Sequence, residues 1–183
     1  MKKRGVIVVD LQNEYLPTGK LPLFGIEAAA ANAARVIADA RQKGIPVFHI
    51  RHEASSQTAP IFVPGTDGAE IQAAVFPIAG EPVIVKHYIN AFRETDLKQQ
   101  LDAFGVEELT VVGAMSHMCV DAVVRAAVDM GYPVTILHDA CATLELSFGD
   151  ITVPAEHVHA ALMAAFVFGY GTVTSTETYL TAA

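Results

Sequence analysis

Cysteine is scarce in this chain of 183 residues: there are two, Cys119 and Cys141. That number excludes a disulfide framework and the ligand spacing of a structural zinc site. Long apolar runs are missing too, and none approaches the roughly 18 residues a membrane span needs. Basic residues are outnumbered, 12 against 20 acidic ones, for a formal charge of −8. Phosphate contacts need a basic face, so this balance argues against a nucleic-acid partner. No Gly-x-Gly-x-x-Gly follows the first apolar run, which sets aside a dinucleotide site. Internal repeats, low-complexity tracts and linker-like shifts of composition are also absent, and one domain over residues 1–183 is expected. The basic start, Met1-Lys2-Lys3-Arg4, leads at once into a strand with no small-residue cleavage site. It reads as a solvated lead-in, not a secretion signal. A chain with so few cysteines, one of which must stay free, is expected in a reducing cytoplasm.

About half of the residues, 52%, are apolar, enough for one sizeable core. Their pattern alternates strand and helix. Strands are expected at Gly5–Asp10, Pro46–Ile50, Pro82–Lys86, Leu109–Val112, Val134–Leu137 and Thr172–Thr174. Helices are expected at Ile26–Lys43, stopped by Gly44, at Asp96–Phe104 with Thr95 as N-cap, at Met118–Met130, and at Pro154–Gly169. Residues 51–80 read as a long loop, with Pro60, Pro64, Pro77, Gly65, Gly68 and Gly80. A loop of that length inside a compact domain usually serves function. The expected fold is α/β: a three-layer α/β/α architecture with a mostly parallel, Rossmann-like six-stranded sheet.

Three of the apolar runs end in a reactive residue. Val6–Val9 meets Asp10, Val83–Val85 meets Lys86, and Leu109–Val112 runs through Gly113 to Cys119. If these strands lie together, an acid, an amine and a thiol emerge at the carboxyl edge of the sheet, where open α/β sheets bind ligands. A free thiol ionises near pH 8.5, and a helix start or a nearby cation lowers that value. Cys119 falls where a turn becomes a helix, Lys86 could supply the cation, and Asp10 could accept the thiol proton. The turn Gly113–His117 brings backbone N–H groups near the sulfur for an oxyanion. Taken singly, each residue has a plainer reading: Cys119 as core, Asp10 as a turn or cap, Lys86 as surface charge. Together they are hard to dismiss, because the chemistry needs all of them in one place. Cys141 reads as structural.

The sequence resembles the isochorismatase-like cysteine hydrolase family, whose members include nicotinamidases, carbamoylsarcosine amidase and streptothricin hydrolase. The resemblance spans nearly the whole chain. It is carried by Val8-Val9-Asp10-Leu11-Gln12-Asn13, Pro64-Gly65-Thr66, Val85-Lys86-His87 before Asn90-Ala91-Phe92, Val112–Val120 continuing to Arg125-Ala126-Ala127, and Asp139–Thr143 with Val153-Pro154-Ala155. It implies a catalytic triad of Asp10, Lys86 and Cys119 that forms a thioester and releases ammonia or an amine. It also implies a cis peptide between Ala114 and Met115, which would turn the Met115 N–H toward the same point as that of Cys119 to form the oxyanion hole. Substrate contacts are expected from Phe92 as an aromatic wall, from His117, and from Gln12, which otherwise orients Asp10 or caps a turn. The segment Tyr15–Phe24 is expected at the pocket rim. A homodimer or homotetramer is implied as well.

Related nicotinamidases place a metal-binding Asp-x-His after strand two, and here that stretch is His49-Ile50-Arg51-His52-Glu53. Two histidines without a third ligand make a weak site, so no metal and no cofactor are expected; the plainer reading puts one histidine in the core and bonds the other in the loop. The leading expectation is a metal-independent cysteine hydrolase acting on the C–N bond of a small amide, lactam or carbamoyl compound. The alternatives are a nicotinamidase or isochorismatase-type hydrolase on the same fold, and a non-catalytic small-molecule-binding scaffold.

Overall fold

The computed structural model describes residues 2–182; Met1, first residue of the basic lead-in, and Ala183 lie outside them. β-Branched side chains point to both faces of Arg4–Val9 (β1), so this strand must be covered on both sides. It pairs in parallel with Val47–His52 (β2) on one flank and with Glu108–Ala114 (β4) on the other. Val83–Lys86 (β3) extends the sheet beyond β2, and Val134–Ala142 (β5) extends it beyond β4. Leu146–Phe148 (β6) and Ile151–Val153 (β7) form a separate antiparallel hairpin, and Thr172–Thr174 (β8) completes the main sheet. The order of the six strands is β3-β2-β1-β4-β5-β8, every neighbour parallel.

Parallel neighbours need crossovers, and helices supply them. Ile26–Lys43 (α1) lies on the face that Val6, Val8, Val112 and Leu137 present, together with Tyr179 from Thr176–Thr181 (α5). Leu97–Ala103 (α2), Asp121–Asp129 (α3) and Ala155–Gly169 (α4) cover the opposite face, against Ile7, Val9, Val111 and Ile136. Alternate residues of one strand thus feed two cores, which gives the expected three-layer α/β/α architecture. α1 ends as its sequence implies: Gly44 takes a left-handed φ of 68°, and its N–H closes on the carbonyls of Ala40 and Arg41. None of the helices among the described residues is long and apolar enough to cross a membrane.

Several boundaries differ from expectation. β5 runs on to Ala142 although His138 and Asp139 interrupt its apolar pattern. Asp139 is held there because its carboxylate accepts from the Thr176 N–H and hydroxyl, while its carbonyl accepts from Asn32. The helix expected at Met118–Met130 is in two pieces, a wide π-type turn over Ser116–Val120 followed by α3. Thr95 does serve the start of α2, its hydroxyl accepting from the Leu97 N–H at 3.3 Å. The β6–β7 hairpin and α5 are too short to carry a periodic signal.

One glycine is required by contact. Gly113 lies opposite Val9 in the register at φ 132°, and a Cβ there would stand 2.1 Å from the Val9 carbonyl oxygen. Gly113→Ala is therefore expected to destabilise the fold by about 3 kcal/mol, through backbone strain at the centre of the sheet. Urea unfolding measures this, and an unchanged midpoint would contradict it.

Candidate active site

From β1 the chain steps outward to β2 and β3, then crosses back to β4 on the other side of β1, so a crevice opens beyond the carboxyl ends of β1 and β4. Asp10 is the first residue past β1. It takes a left-handed φ of 47°, which aspartate tolerates better than most residues, and its N–H donates to Ile50. Lys86 is the last residue of β3, two strands away, and its long side chain crosses beneath the end of β2. Cys119 sits in the π-type turn after β4. The three meet: the Lys86 Nζ lies 2.9 Å from Asp10 Oδ2 and donates to Cys119 Sγ at 3.1 Å.

The meeting point is dry. Asp10 and Lys86 are 0% exposed and Cys119 is 3% exposed. Burial by itself would lower the pKa of the Lys86 ammonium, but the Asp10 carboxylate and the Cys119 sulfur outweigh it and hold that pKa above the ordinary lysine value. Burial pushes the Cys119 thiol up, the Asp10 carboxylate adds to this, and Lys86 offsets only part of it. This reverses the expectation of a thiolate favoured by a helix end. α3 begins only at Asp121, and loss of water dominates at the sulfur. The surroundings thus favour the protonated thiol, with the Asp10 carboxylate beside it. An Asp10 oxygen lies within 4.8 Å of the sulfur, and neither carboxylate oxygen has a hydrogen-bond partner among the described residues beyond the ion pair with Lys86.

The remaining expected site residues fare differently. The peptide between Ala114 and Met115 is cis. The Met115 N–H donates to no group among the described residues, while its carbonyl accepts from Met118 and Val120. Phe92 is half-buried against the core face of α2, with its N–H held by Asn90 Oδ1 at 3.0 Å. His117 is half-buried, with Nδ1 2.6 Å from Thr143 Oγ1. Gln12 corrects an expectation, since it is a fully buried brace and not a substrate contact. Its Nε2 donates to the carbonyls of His52 and Ala69, both at 2.8 Å, and its Oε1 accepts from the His52 N–H at 2.8 Å. No N–H of that carboxamide is left to offer a ligand.

His49 and His52 do not pair. They stand three residues apart on a strand, hence on opposite faces. His49 is buried, with Nε2 3.0 Å from Glu81, which also chelates Arg41. His52 belongs to the site, with Nδ1 2.9 Å from the Lys86 Nζ. Asp10, His52 and Cys119 bring ligand atoms within 4.8 Å of one another, the arrangement a metal would use. The Lys86 ammonium lies 2.9 Å from Asp10, 2.9 Å from His52 and 3.1 Å from Cys119, so the cation this cluster holds is the chain's own.

Sequence reading placed Tyr15 at the pocket rim but did not assign His52 or Phe62 to this neighbourhood. Tyr15 is 2% exposed, and burial, then Asp10 and Cys119, raise its phenol well above the ordinary value. Phe62, from the long loop, stacks edge-on to Tyr15 and tilted over His52, with ring centroids 5.2 Å apart in both pairs. The one available signal was register: His52 pairs with Lys86, a match visible once β2 is extended by two residues.

The isochorismatase domain model matches residues 4–178. The chain belongs to the isochorismatase family. The family's YddQ protein of Bacillus subtilis is 49% identical over 175 residues, 96% of this chain and 97% of the relative. Streptothricin hydrolase of Streptomyces noursei is 36% identical over 162 residues, 83% of this chain and 55% of that enzyme. A crystal structure from Oleispira antarctica bearing the name isochorismatase hydrolase superimposes with a TM-score of 0.95 at 49% identity, covering 98% of this chain and 97% of that one. This chain is thus an isochorismatase-family hydrolase with the six-stranded parallel sheet of its neighbours.

The site has consequences for stability. Removing the ammonium in Lys86→Met strands the buried Asp10 carboxylate, at an expected cost of about 3 kcal/mol or more in urea unfolding. A second consequence concerns acid. Burial, then Lys86, lower the His52 imidazole from 6.5 to about 4. Between those values the unfolded chain binds a proton that the folded chain refuses, so stability falls as pH drops from 6.5 toward 4. His52→Asn removes that proton uptake, and its urea midpoint is expected to fall less than the wild type's over the same interval. Equal slopes would argue against a neutral buried imidazole.

Proposed function

We propose that this hydrolase cleaves the C–N bond of a small amide, lactam or carbamoyl compound through a thioester on Cys119, with Asp10 and Lys86 completing the triad. The observation that carries the reading is the buried contact of sulfur, ammonium and carboxylate at the sheet's switch point. The name of the relative streptothricin hydrolase fits an acyl-transfer chemistry of this kind. As the sulfur attacks the carbonyl carbon, the thiol proton passes to Asp10, and the carbonyl oxygen becomes an oxyanion between the N–H groups of Met115 and Cys119. When the intermediate collapses, Asp10 returns the proton to the departing nitrogen and ammonia or an amine leaves. Water then attacks the thioester with Asp10 as base, releasing the acid and restoring the thiol. A thiol that rests protonated suits this sequence, because the same proton serves the leaving group. Lys86 offsets the negative charge that moves between sulfur and oxygen.

The reading includes a small-molecule partner and no nucleic acid, in keeping with the charge of −8. A reducing cytoplasm fits two unbridged cysteines. It also includes a homodimer or homotetramer. After the polar Glu156, His157 and His159, α4 is apolar around its whole circumference from Ala160 to Phe168, and Ala160, Ala161, Ala164, Val167 and Phe168 remain exposed, Phe168 at 95%. An all-apolar helix is normally covered on all sides; light scattering of the purified protein measures the assembly.

Ammonia release from a panel of amides, nicotinamide included, tests the chemistry. Cys119→Ala is expected to lose activity by about 10³-fold or more. Equal release by wild type and variant would end the thioester reading, and turnover confined to nicotinamide would favour the nicotinamidase alternative. Prolonged chelation is expected to leave the rate within about twofold of the untreated enzyme, since the cation of the site is covalently part of the chain. A chelator-induced loss restored by zinc would overturn the metal-independent mechanism.

A further inference from the structure

An ammonium has three N–H bonds, and the one on Lys86 has more neighbours than it has protons. Besides Asp10 Oδ2 at 2.9 Å and Cys119 Sγ at 3.1 Å, it meets His52 Nδ1 at 2.9 Å and the carbonyls of Tyr88 at 3.1 Å and Ile89 at 3.3 Å. The Asp10 contact at 2.9 Å is a full charge-assisted one, so the sulfur, His52 and the two adjacent carbonyls share the remaining two N–H bonds. Which way the ammonium turns therefore depends on where its uncharged acceptors stand.

The imidazole is built in with care on every side. Its residue sits beside Lys86 in the β2–β3 register. Gln12 brackets its backbone, accepting from the N–H and donating to the carbonyl, both at 2.8 Å. The Phe62 ring lies over it at 5.2 Å, and Phe62 is itself fixed by its N–H donating to Glu14 Oε2 at 3.0 Å. Phe62 adopts a left-handed φ of 55°, a conformation a bulky residue takes only when its surroundings enforce it. A long loop, a buried glutamate and a buried glutamine therefore converge on one ring.

We propose that His52 is a positioning residue for the nucleophile: as a neutral imidazole it accepts one Lys86 N–H through Nδ1, and so fixes the orientation in which the ammonium touches the Cys119 sulfur as well as Asp10. An acceptor without charge does this while leaving the balance of Asp10, Lys86 and Cys119 intact. A carboxylate in its place would compete with Asp10, and a charged imidazole would expel the ammonium. The groups that face His52 are consistent with the neutral form. Lys86 on β3 and His87 just past it disfavour a second positive charge, burial disfavours it further, and only Asp10 past β1 favours it. The role rests on Lys86 and Cys119 acting as proposed above, and it reaches the chemistry only through Lys86.

The rate of Cys119 alkylation by iodoacetamide at pH 7.5, followed by mass spectrometry, tests this without a substrate. His52→Leu is expected to slow alkylation about tenfold, the effect of losing one charge-assisted hydrogen bond. His52→Asn offers an oxygen where Nδ1 stood and is expected to recover most of the rate. Lys86→Met serves as the reference for the reading beneath. If it changes the rate and His52→Leu does not, the positioning role is wrong while the triad stands. If neither changes it, the thiol is not under Lys86 control and the triad reading fails first. Should His52→Leu not fold, the ¹⁵N shifts of the imidazole in the wild-type protein decide. A neutral ring with its proton on Nε2 at pH 6 is expected, and a proton on Nδ1 at that pH overturns the proposal.

Discussion

The Lys86 ammonium, buried beside a carboxylate and a sulfur, organises everything at the carboxyl edge of this sheet. A charge so far from water persists only when its surroundings replace the lost solvation. Here Asp10, His52, Cys119 and two backbone carbonyls do so within 3.3 Å. Each of those groups is fixed in turn by the fold. β3 supplies the lysine, β2 the imidazole, the end of β1 the carboxylate, and the turn after β4 the thiol. Neighbouring parallel strands end at similar heights, and that common edge brings four unrelated stretches of sequence together.

Dryness gives the site its chemical character. In water the cysteine would be only modestly above neutral pH, and a nearby lysine would lower it further. In this pocket burial and the charge of Asp10 outweigh the help from Lys86, so the thiol is pushed up and its protonated form favoured. In the proposed mechanism the same exclusion of water keeps the proton shared by thiol, carboxylate and leaving nitrogen from being lost to solvent. Cys141 is a useful contrast. Buried near the end of β5, with burial the main cause and no cation to offset it, it is pushed up to about 12, and it packs as core.

The long loop earns its length in the structure by anchoring the site. Glu14 accepts from the N–H groups of Lys20 and Phe62, and a Cβ on Gly68 would come within 2.5 Å of its carboxylate. Gln72 donates to the Gln12 carbonyl at 2.9 Å, and Gln12 reaches Ala69 and His52. Loop residues thereby form a second layer behind the reactive groups, which accounts for buried polar side chains in a region whose composition reads as ordinary turn. Spacing and periodicity carry no trace of such a layer, because apart from the local Lys20–Glu14 contact these bonds join positions some 40 to 60 apart in the chain.

Sequence alone was enough to determine the alternation of strands and helices, the parallel sheet, and the placing of Asp10, Lys86 and Cys119 where their side chains meet. β-Branched runs buried on both faces leave little choice of partner geometry, and the reactive residues stand at their ends. Tertiary structure decided what these groups are like once assembled. It pushed the thiol up toward its protonated form, because burial is a property of the packed molecule. It made Gln12 a brace and separated His49 from His52, because a strand sends residues three apart to opposite faces. It also carried β5 past Leu137 and placed His52 against Lys86, since hydrogen bonds from distant segments, not local pattern, hold those residues in position.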